Sequence, residues 1–356
     1  MRDLVTAPYV GEIGWELMSW QARVRWYFER GAFEKLVVIG ASGKSAFYDD
    51  MPLDYHEVDL SVLPGDACED RRVVQDSSGA AIRAPSASEG LTCSYQEPVA
   101  CAPGSEKAGP ASAPVSPETI RAAVLPMVEP IVARLRNQGH EVEVLWPEYA
   151  GTLYPCEPEY QEFIRFERSL SEPVESPWVV LVQRTREFGS KNWSSSKWAE
   201  LASRLKERGI HTSVFPCHSE AAIETLSACD LAVGQSTGGL HLAALCGCPR
   251  LVWSLEHYLW SPWDATNRQR YETLWNPLGT PVEVHEVNQL PSPTEAADQI
   301  IGALETIGRH TGSRKSRLAF QLKWTLRNWL VRNVIQTRAC WRWPWPVQRL
   351  VRYQVV

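Results

Sequence analysis

Ala232-Val-Gly-Gln-Ser-Thr-Gly-Gly-Leu-His-Leu-Ala-Ala-Leu-Cys-Gly-Cys-Pro-Arg-Leu-Val-Trp253 reads as a buried strand, a glycine-rich turn, a short helix and a second apolar strand. Gly238 and Gly239 open the helix, so its unpaired N–H groups and positive dipole end face whatever occupies the turn. Such an end accepts an anion, most often phosphate. The same pattern also suits a plain β-turn-α crossover in which glycine only permits a tight bend. Ser236 and Thr237 add hydroxyls, and His241 falls in the first helical turn, where it suits a phosphate or sugar contact as well as a core position.

Working outward, two alternating β/α series flank a proline-rich connection. In the first, strands are expected at Leu4 to Val10, Lys35 to Gly40, near Glu57 to Leu60, and His140 to Trp146. Helices are expected from Trp15 to Arg30 and from Pro117 to Gln138, with a short one near Tyr160 in the connection. In the second series, strands are expected at Trp178 to Gln183, His211 to Phe215, Leu231 to Val233 and Arg250 to Trp253. Helices follow at Ser194 to Arg208, Ser219 to Cys229 and Pro293 to Ile307, the first capped by Ser194 or Ser196 with Trp198, Leu201 and Leu205 inward. Alternation of this kind specifies parallel sheets. The expected fold is α/β, with two Rossmann-like doubly wound domains facing a cleft. The domains are 1–170, holding a flexible insertion over 64–117, and 171–312, followed by a basic helical tail over 313–356.

Two further segments carry chemistry. Gln183-Arg-Thr-Arg-Glu-Phe-Gly-Ser-Lys-Asn-Trp193 follows the first strand of the second series. Its Arg184, Arg186 and Lys191 suit a diphosphate, or alternatively a solvated loop held by ion pairs. Gly11-Glu12-Ile-Gly-Trp-Glu16 sits at the first strand-to-helix turn. Glu12 there suits a general base, with Gly11 and Glu16 toward an acceptor. Compensation of the helix dipole is the competing reading, and the better one for Glu16.

The formal charge of −6 hides an asymmetry: the first 305 residues hold 25 basic against 42 acidic groups, whereas the remainder holds eleven basic groups and no acid. Residues 313–356 carry ten of those cations and five tryptophans. Ala319, Leu322, Leu326, Trp329, Leu330 and Val334 share one helical face, as in a helix lying on an anionic bilayer. Docking onto the first domain and nucleic-acid binding are the alternatives, and no nucleic-acid partner is expected. No signal segment or membrane-spanning run is read, and the nine cysteines are taken as reduced thiols of a cytoplasmic protein.

The run Lys191-Asn-Trp193, then Trp198-Ala-x-Leu-Ala202, then Asp230-Leu-Ala-Val-Gly-x-x-Thr-Gly-x-x-His-Leu-Ala-Ala-x-x-Gly-x-Pro249 resembles the ADP-heptose:lipopolysaccharide heptosyltransferases over about 178–255. The resemblance implies a GT-B glycosyltransferase that uses a nucleotide-diphosphate sugar as co-substrate, with no cofactor and no metal. It implies a glycan or lipid-linked acceptor and peripheral association with the inner face of the cytoplasmic membrane. Glu12 stands where the family places an Asp general base, and Ser236-Thr237-Gly238 where the family commonly has Asp-Thr-Gly. Donor contacts are thereby implied for Arg184, Arg186, Lys191, Ser236, Thr237, Gly238, Gly239 and His241. A nucleotide-sugar epimerase, a pyruvyl transferase or a non-catalytic nucleotide-sugar binder would suit the same architecture.

Overall fold

A computed structural model describes residues 1–60, 63, 117–147, 160–168, 177–184, 192–216, 218–255 and 266–308. The expected tail, Arg186, Lys191 and the expected insertion up to residue 116 lie outside the described residues.

The first sheet contains β1 (Arg2–Thr6), β2 (Lys35–Gly40), β3 (Leu53–Glu57) and β4 (Glu141–Leu145) in the order β3-β2-β1-β4. Every pairing is parallel, with Leu4 opposite Leu36 on one side and Glu143 on the other. Between β1 and β2 the chain forms α1 (Ile13–Trp15), a π-helical segment (Glu16–Trp20) and α2 (Gln21–Arg30). A 3-10 turn (Ser45–Phe47) precedes β3, and α3 (Pro117–Asn137) precedes β4. The second sheet contains β5 (Trp178–Val182), β6 (His211–Val214), β7 (Leu231–Gln235), β8 (Arg250–Ser254) and β9 (Val282–Glu286) in the order β6-β5-β7-β8-β9, again all parallel. Its crossovers are α4 (Ser195–Glu207), α5 (Ser219–Ala228), α6 (Gly238–Leu245) and α7 (Asn267–Glu272), and α8 (Pro293–Thr306) closes the series.

Both sheets are doubly wound, which fixes where a ligand can sit. In the first, strand order reverses between β1 and β4; in the second, between β5 and β7. The crevice beyond the carboxyl ends of such neighbouring strands is the ligand position of open α/β sheets. Those ends lead into Ala7–Glu12, into Gln183–Arg184 and into Ser236–Gly238.

One apolar core runs through both halves. Leu17, Trp20 and Phe47 from the first pack in the same cluster as Leu226, Leu240 and Val252 from the second. The segment 160–168 joins them: Glu162 N–H donates to the Ala22 carbonyl at 2.9 Å and Phe166 N–H to the Leu245 carbonyl at 3.0 Å. Tyr160 is in 3-10 conformation and 161–168 form no regular element, while the residues before Tyr160, where the rest of the expected short helix falls, lie outside the described residues. A correction concerns β3, which ends at Glu57 where the sequence suggested a start. Val58 and Leu60 leave the sheet and pack with Ile120 and Val124 of α3. β1 stops at Thr6, two residues short of Pro8, which has no N–H for a sheet ladder. Helix α4 begins as expected, with Ser194 Oγ accepting from Lys197 N–H and Trp198, Leu201 and Leu205 buried. Elements α7 and β9 were not anticipated.

Candidate active site at the meeting of two turns

The glycine turn is built on β7 and closed by β5. Arg184, two residues beyond β5, donates from Nη1 to the Ser236 carbonyl at 3.0 Å, so the two switch-point loops are joined directly. Thr237 is the N-cap residue of α6 in extended conformation, but its hydroxyl does not cap the helix. Thr237 Oγ1 is buried without a partner, as are both amide atoms of Gln235 and Nδ1 of His241. Each such buried group costs about 1–3 kcal/mol, which a polar ligand would offset. The glycines serve close approach rather than an unusual dihedral. A Cβ at Gly234 would stand 2.3 Å from the Val182 carbonyl oxygen, and one at Gly239 2.7 Å from Val182 Cγ1.

On the other side of the cleft, Glu12 is the N-cap residue of α1 and its carbonyl accepts from Trp15 and Glu16 N–H at 3.0 and 3.1 Å. Its carboxylate makes no cap bond to that helix, so capping does not account for it. Glu16 behaves differently. It is buried, receives Lys44 Nζ at 2.6 Å, and lies 3.5 Å from the Tyr48 hydroxyl. Burial and then the Glu16 charge push the phenol of Tyr48 up, so that group stays protonated. Glu16 thus anchors the loop that carries Lys44, and the sequence offered no sign of this pairing.

The two turns touch. A Cβ on Gly238 would lie 2.2 Å from Ile13 Cγ2 and 3.0 Å from the Gly14 nitrogen; one on Gly14 would lie 2.8 Å from His241 Cδ2. The start of α1 and the start of α6 therefore abut with no room for side chains between them. His241, 7% exposed, stacks on Tyr271 at 5.3 Å between centroids and 12° between planes. Trp275 crosses it edge-on at 4.8 Å, and Trp15 reaches Trp275 at 6.2 Å. Burial, followed by the nearby Arg250, lowers the imidazole pKa to about 3, against the opposing pull of Glu12. The ring is neutral at pH 7. Its position combines the two readings offered by the sequence: packed like a core residue, yet with a buried nitrogen awaiting a partner.

Sequence reasoning missed Arg250, Arg270, Tyr271 and Trp275. Arg250 and Arg270 are 0% and 1% exposed, with their guanidiniums over the rings of Tyr271 (5.7 Å) and Trp275 (4.6 Å). One signal was available. Thr266-x-x-Gln269 is a capping box, and it starts the helix that delivers Tyr271. Gly11, Glu12, Arg184, Ser236, Thr237, Gly238, Gly239 and His241 all lie on the loops at the switch points or on the helix starts beside them. Among the described residues no group of three His, Cys, Asp or Glu side chains is placed to hold a metal ion.

Residues 111–226 match the model of glycosyltransferase family 9 (heptosyltransferase). Over that third of the chain the sequence is similar to the heptosyltransferase-like glycosyltransferases. The matched segment runs from before α3 into α5 and stops short of the glycine turn. Among solved structures, the chain is similar to Escherichia coli ADP-heptose lipopolysaccharide heptosyltransferase II at 15% identity, covering 86% of this chain and 99% of that one, with a TM-score of 0.46. It is also similar to E. coli heptosyltransferase WaaC with ADP-2-deoxy-2-fluoro heptose (14% identity, 85% and 99% covered, TM-score 0.39). A glycosyl transferase family 9 structure from Veillonella parvula matches at 10% identity, 86% and 97% covered, and TM-score 0.43. No curated protein matches the sequence.

Proposed function

We propose that this protein is a glycosyltransferase that moves a sugar from a nucleotide-diphosphate donor to a hydroxyl of a bacterial surface glycan or glycolipid, with Glu12 as general base. The observation that carries this reading is the abutment of the Glu12 turn and the Gly238 turn at the switch points of two parallel sheets. An acceptor held by the first half and a donor held by the second would meet there. The acceptor oxygen attacks the anomeric carbon, its proton passes to the Glu12 carboxylate, and the bond from the anomeric carbon to the diphosphate oxygen breaks. The charge left on the diphosphate is met by Arg184, by Arg186 and Lys191 from the neighbouring loop, and by the N–H groups opening α6. Preorganised donors of this kind contribute several kcal/mol to transfer, here without calling on a metal. Neutral His241, Thr237 Oγ1 and the Gln235 amide supply uncharged hydrogen bonds to the sugar or phosphate.

Thermal-shift measurements with ADP, UDP, GDP and their sugars test the donor half, because a ligand that prefers the folded chain raises its midpoint. At least one is expected to stabilise the unaltered chain and to stabilise Arg184→Ala less. Product analysis then tests the reaction. Donor alone should leave the sugar unaltered, and donor with acceptor should give a glycoside. A new sugar formed from donor alone would mark an epimerase instead.

The same reading places the protein in the cytoplasm, against the inner face of the membrane through residues 313–356. No helix among the described residues is long and apolar enough to cross a membrane. Flotation with anionic liposomes is expected for the full chain and is expected to fail for one ending at Gly312. Equal flotation would remove the membrane role of the tail.

A further inference from the structure

Tyr271 touches the glycine turn on both sides of its glycine pair. Its ring stacks on His241, three residues after Gly238, and its hydroxyl donates to Ser236 Oγ at 3.0 Å, two residues before Gly238. The ring is enclosed on all sides. It is 0% exposed, Trp275 crosses it at 5.2 Å and 83°, and the Arg250 guanidinium lies over it. The helix that carries it is pinned by the capping box at Thr266.

A serine hydroxyl has one proton to donate and two lone pairs. With one lone pair taken by Tyr271, the Ser236 proton is left to donate to some other acceptor. Ser236 is half-buried at the open end of β7, and its carbonyl already receives Arg184. A hydroxyl proton beside a guanidinium is a pair of donors, and that pair suits an anionic oxygen.

We infer that Tyr271 is a positioning residue: by donating to Ser236 Oγ it turns the Ser236 hydroxyl into a hydrogen-bond donor for a phosphate oxygen of the ligand, alongside Arg184. This rests on the donor-site reading above and deepens it by giving Ser236 the polarity opposite to that of a carboxylate. An acid at position 236 would accept from a ligand hydroxyl and repel a phosphate; serine held by Tyr271 does the reverse.

The test is calorimetric titration of ADP, UDP and GDP, with the matching nucleosides as phosphate-free controls, into the unaltered full chain, Tyr271→Phe, Ser236→Ala and the double variant. Tyr271→Phe keeps the stack on His241 and removes only the O–H. For the tightest diphosphate, each single variant is expected to weaken binding about tenfold, the range of a lost hydrogen bond to a charged group. The double variant should bind no more weakly than Ser236→Ala, nucleoside binding should not change, and Ser236→Asp should bind more weakly than Ser236→Ala. A purely structural tyrosine would instead lower nucleoside and diphosphate binding together and would add its loss to that of Ser236→Ala. Either of those results, or unaltered diphosphate binding by Tyr271→Phe, overturns the inference. If Arg184→Ala weakens diphosphate binding and Tyr271→Phe does not, the donor-site reading stands and the role of Tyr271 falls. If the unaltered chain binds none of the three diphosphates, both fall.

Discussion

Ile13 lies so close to Gly238 that a single added methyl group would stand 2.2 Å from its Cγ2 atom. The contact joins the first turn of α1 in one half to the first turn of α6 in the other. It explains the glycine at 238 by close approach of two backbones. Gly238→Ala has to move Ile13 and also the backbone, since the Gly14 nitrogen would be 3.0 Å away. Overpacking of this kind costs about 1–3 kcal/mol. The expected result is a lower unfolding free energy in urea together with a loss of transfer larger than the loss of nucleoside-diphosphate affinity. The substitution separates the two halves more than it damages either one.

The buried His241 makes stability depend on pH in a defined window. In the unfolded chain the imidazole takes up a proton near its ordinary value of 6.5, whereas in the folded chain it does so only near 3. Between those values the unfolded state holds more protons, so the contribution of His241 to stability is full above pH 6.5 and shrinks as the pH falls. The slope is at most about 1.4 kcal/mol per pH unit. Urea denaturation at pH 7 and pH 5 should show a smaller acid loss for His241→Gln than for the unaltered chain. Equal losses would mean that the ring is not held neutral.

Arg25 on α2 is fully buried, yet its guanidinium meets Asp50 at 2.7 and 2.8 Å and the Phe47 carbonyl, and lies over the ring of Phe166 at 5.5 Å. It thereby ties the first half to the segment that runs between the halves. Asp50→Ala leaves that charge inside without its counterion and is expected to cost about 3 kcal/mol. Asp50→Asn, which keeps a hydrogen-bond acceptor, should cost less. Chemical denaturation of the two variants checks the order.

Much of this architecture is legible in the sequence. The strand-glycine-helix-strand run at 231–254 folds as its periodicity and glycines indicate, because α6 is apolar on every side and can only be buried between sheet and neighbours. The candidate site residues on both strand-to-helix turns were legible for the same reason: a parallel sheet puts every such loop on one edge. What was missed has equally physical causes. Strand β9 alternates Val282 and Val284 with Glu283, His285 and Glu286 at the sheet edge, where only Val284 is buried. Six residues of α7 give no helical period, and the side chains it buries are Asn267, Arg270, Tyr271 and Glu272 rather than aliphatics. Edge strand β3 is only half-buried, so the more apolar Val58 and Leu60 drew the reading past its end. Tertiary pairing, such as Gly14 against His241 between the halves and Lys44 against Glu16 within the first, leaves no local trace in sequence at all.

The Glu12→Gln variant, measured for donor binding and for transfer in parallel, separates a general base from a bystander carboxylate. The amide keeps the size and the backbone N-cap role of Glu12 while removing the basic oxygen. Nucleoside-diphosphate affinity is expected to stay within about twofold, since the proposed role of the carboxylate is toward the acceptor hydroxyl, and the transfer rate to fall about a hundredfold or more, as for loss of a general base. A Glu12→Gln variant that transfers sugar at the unaltered rate would contradict the account.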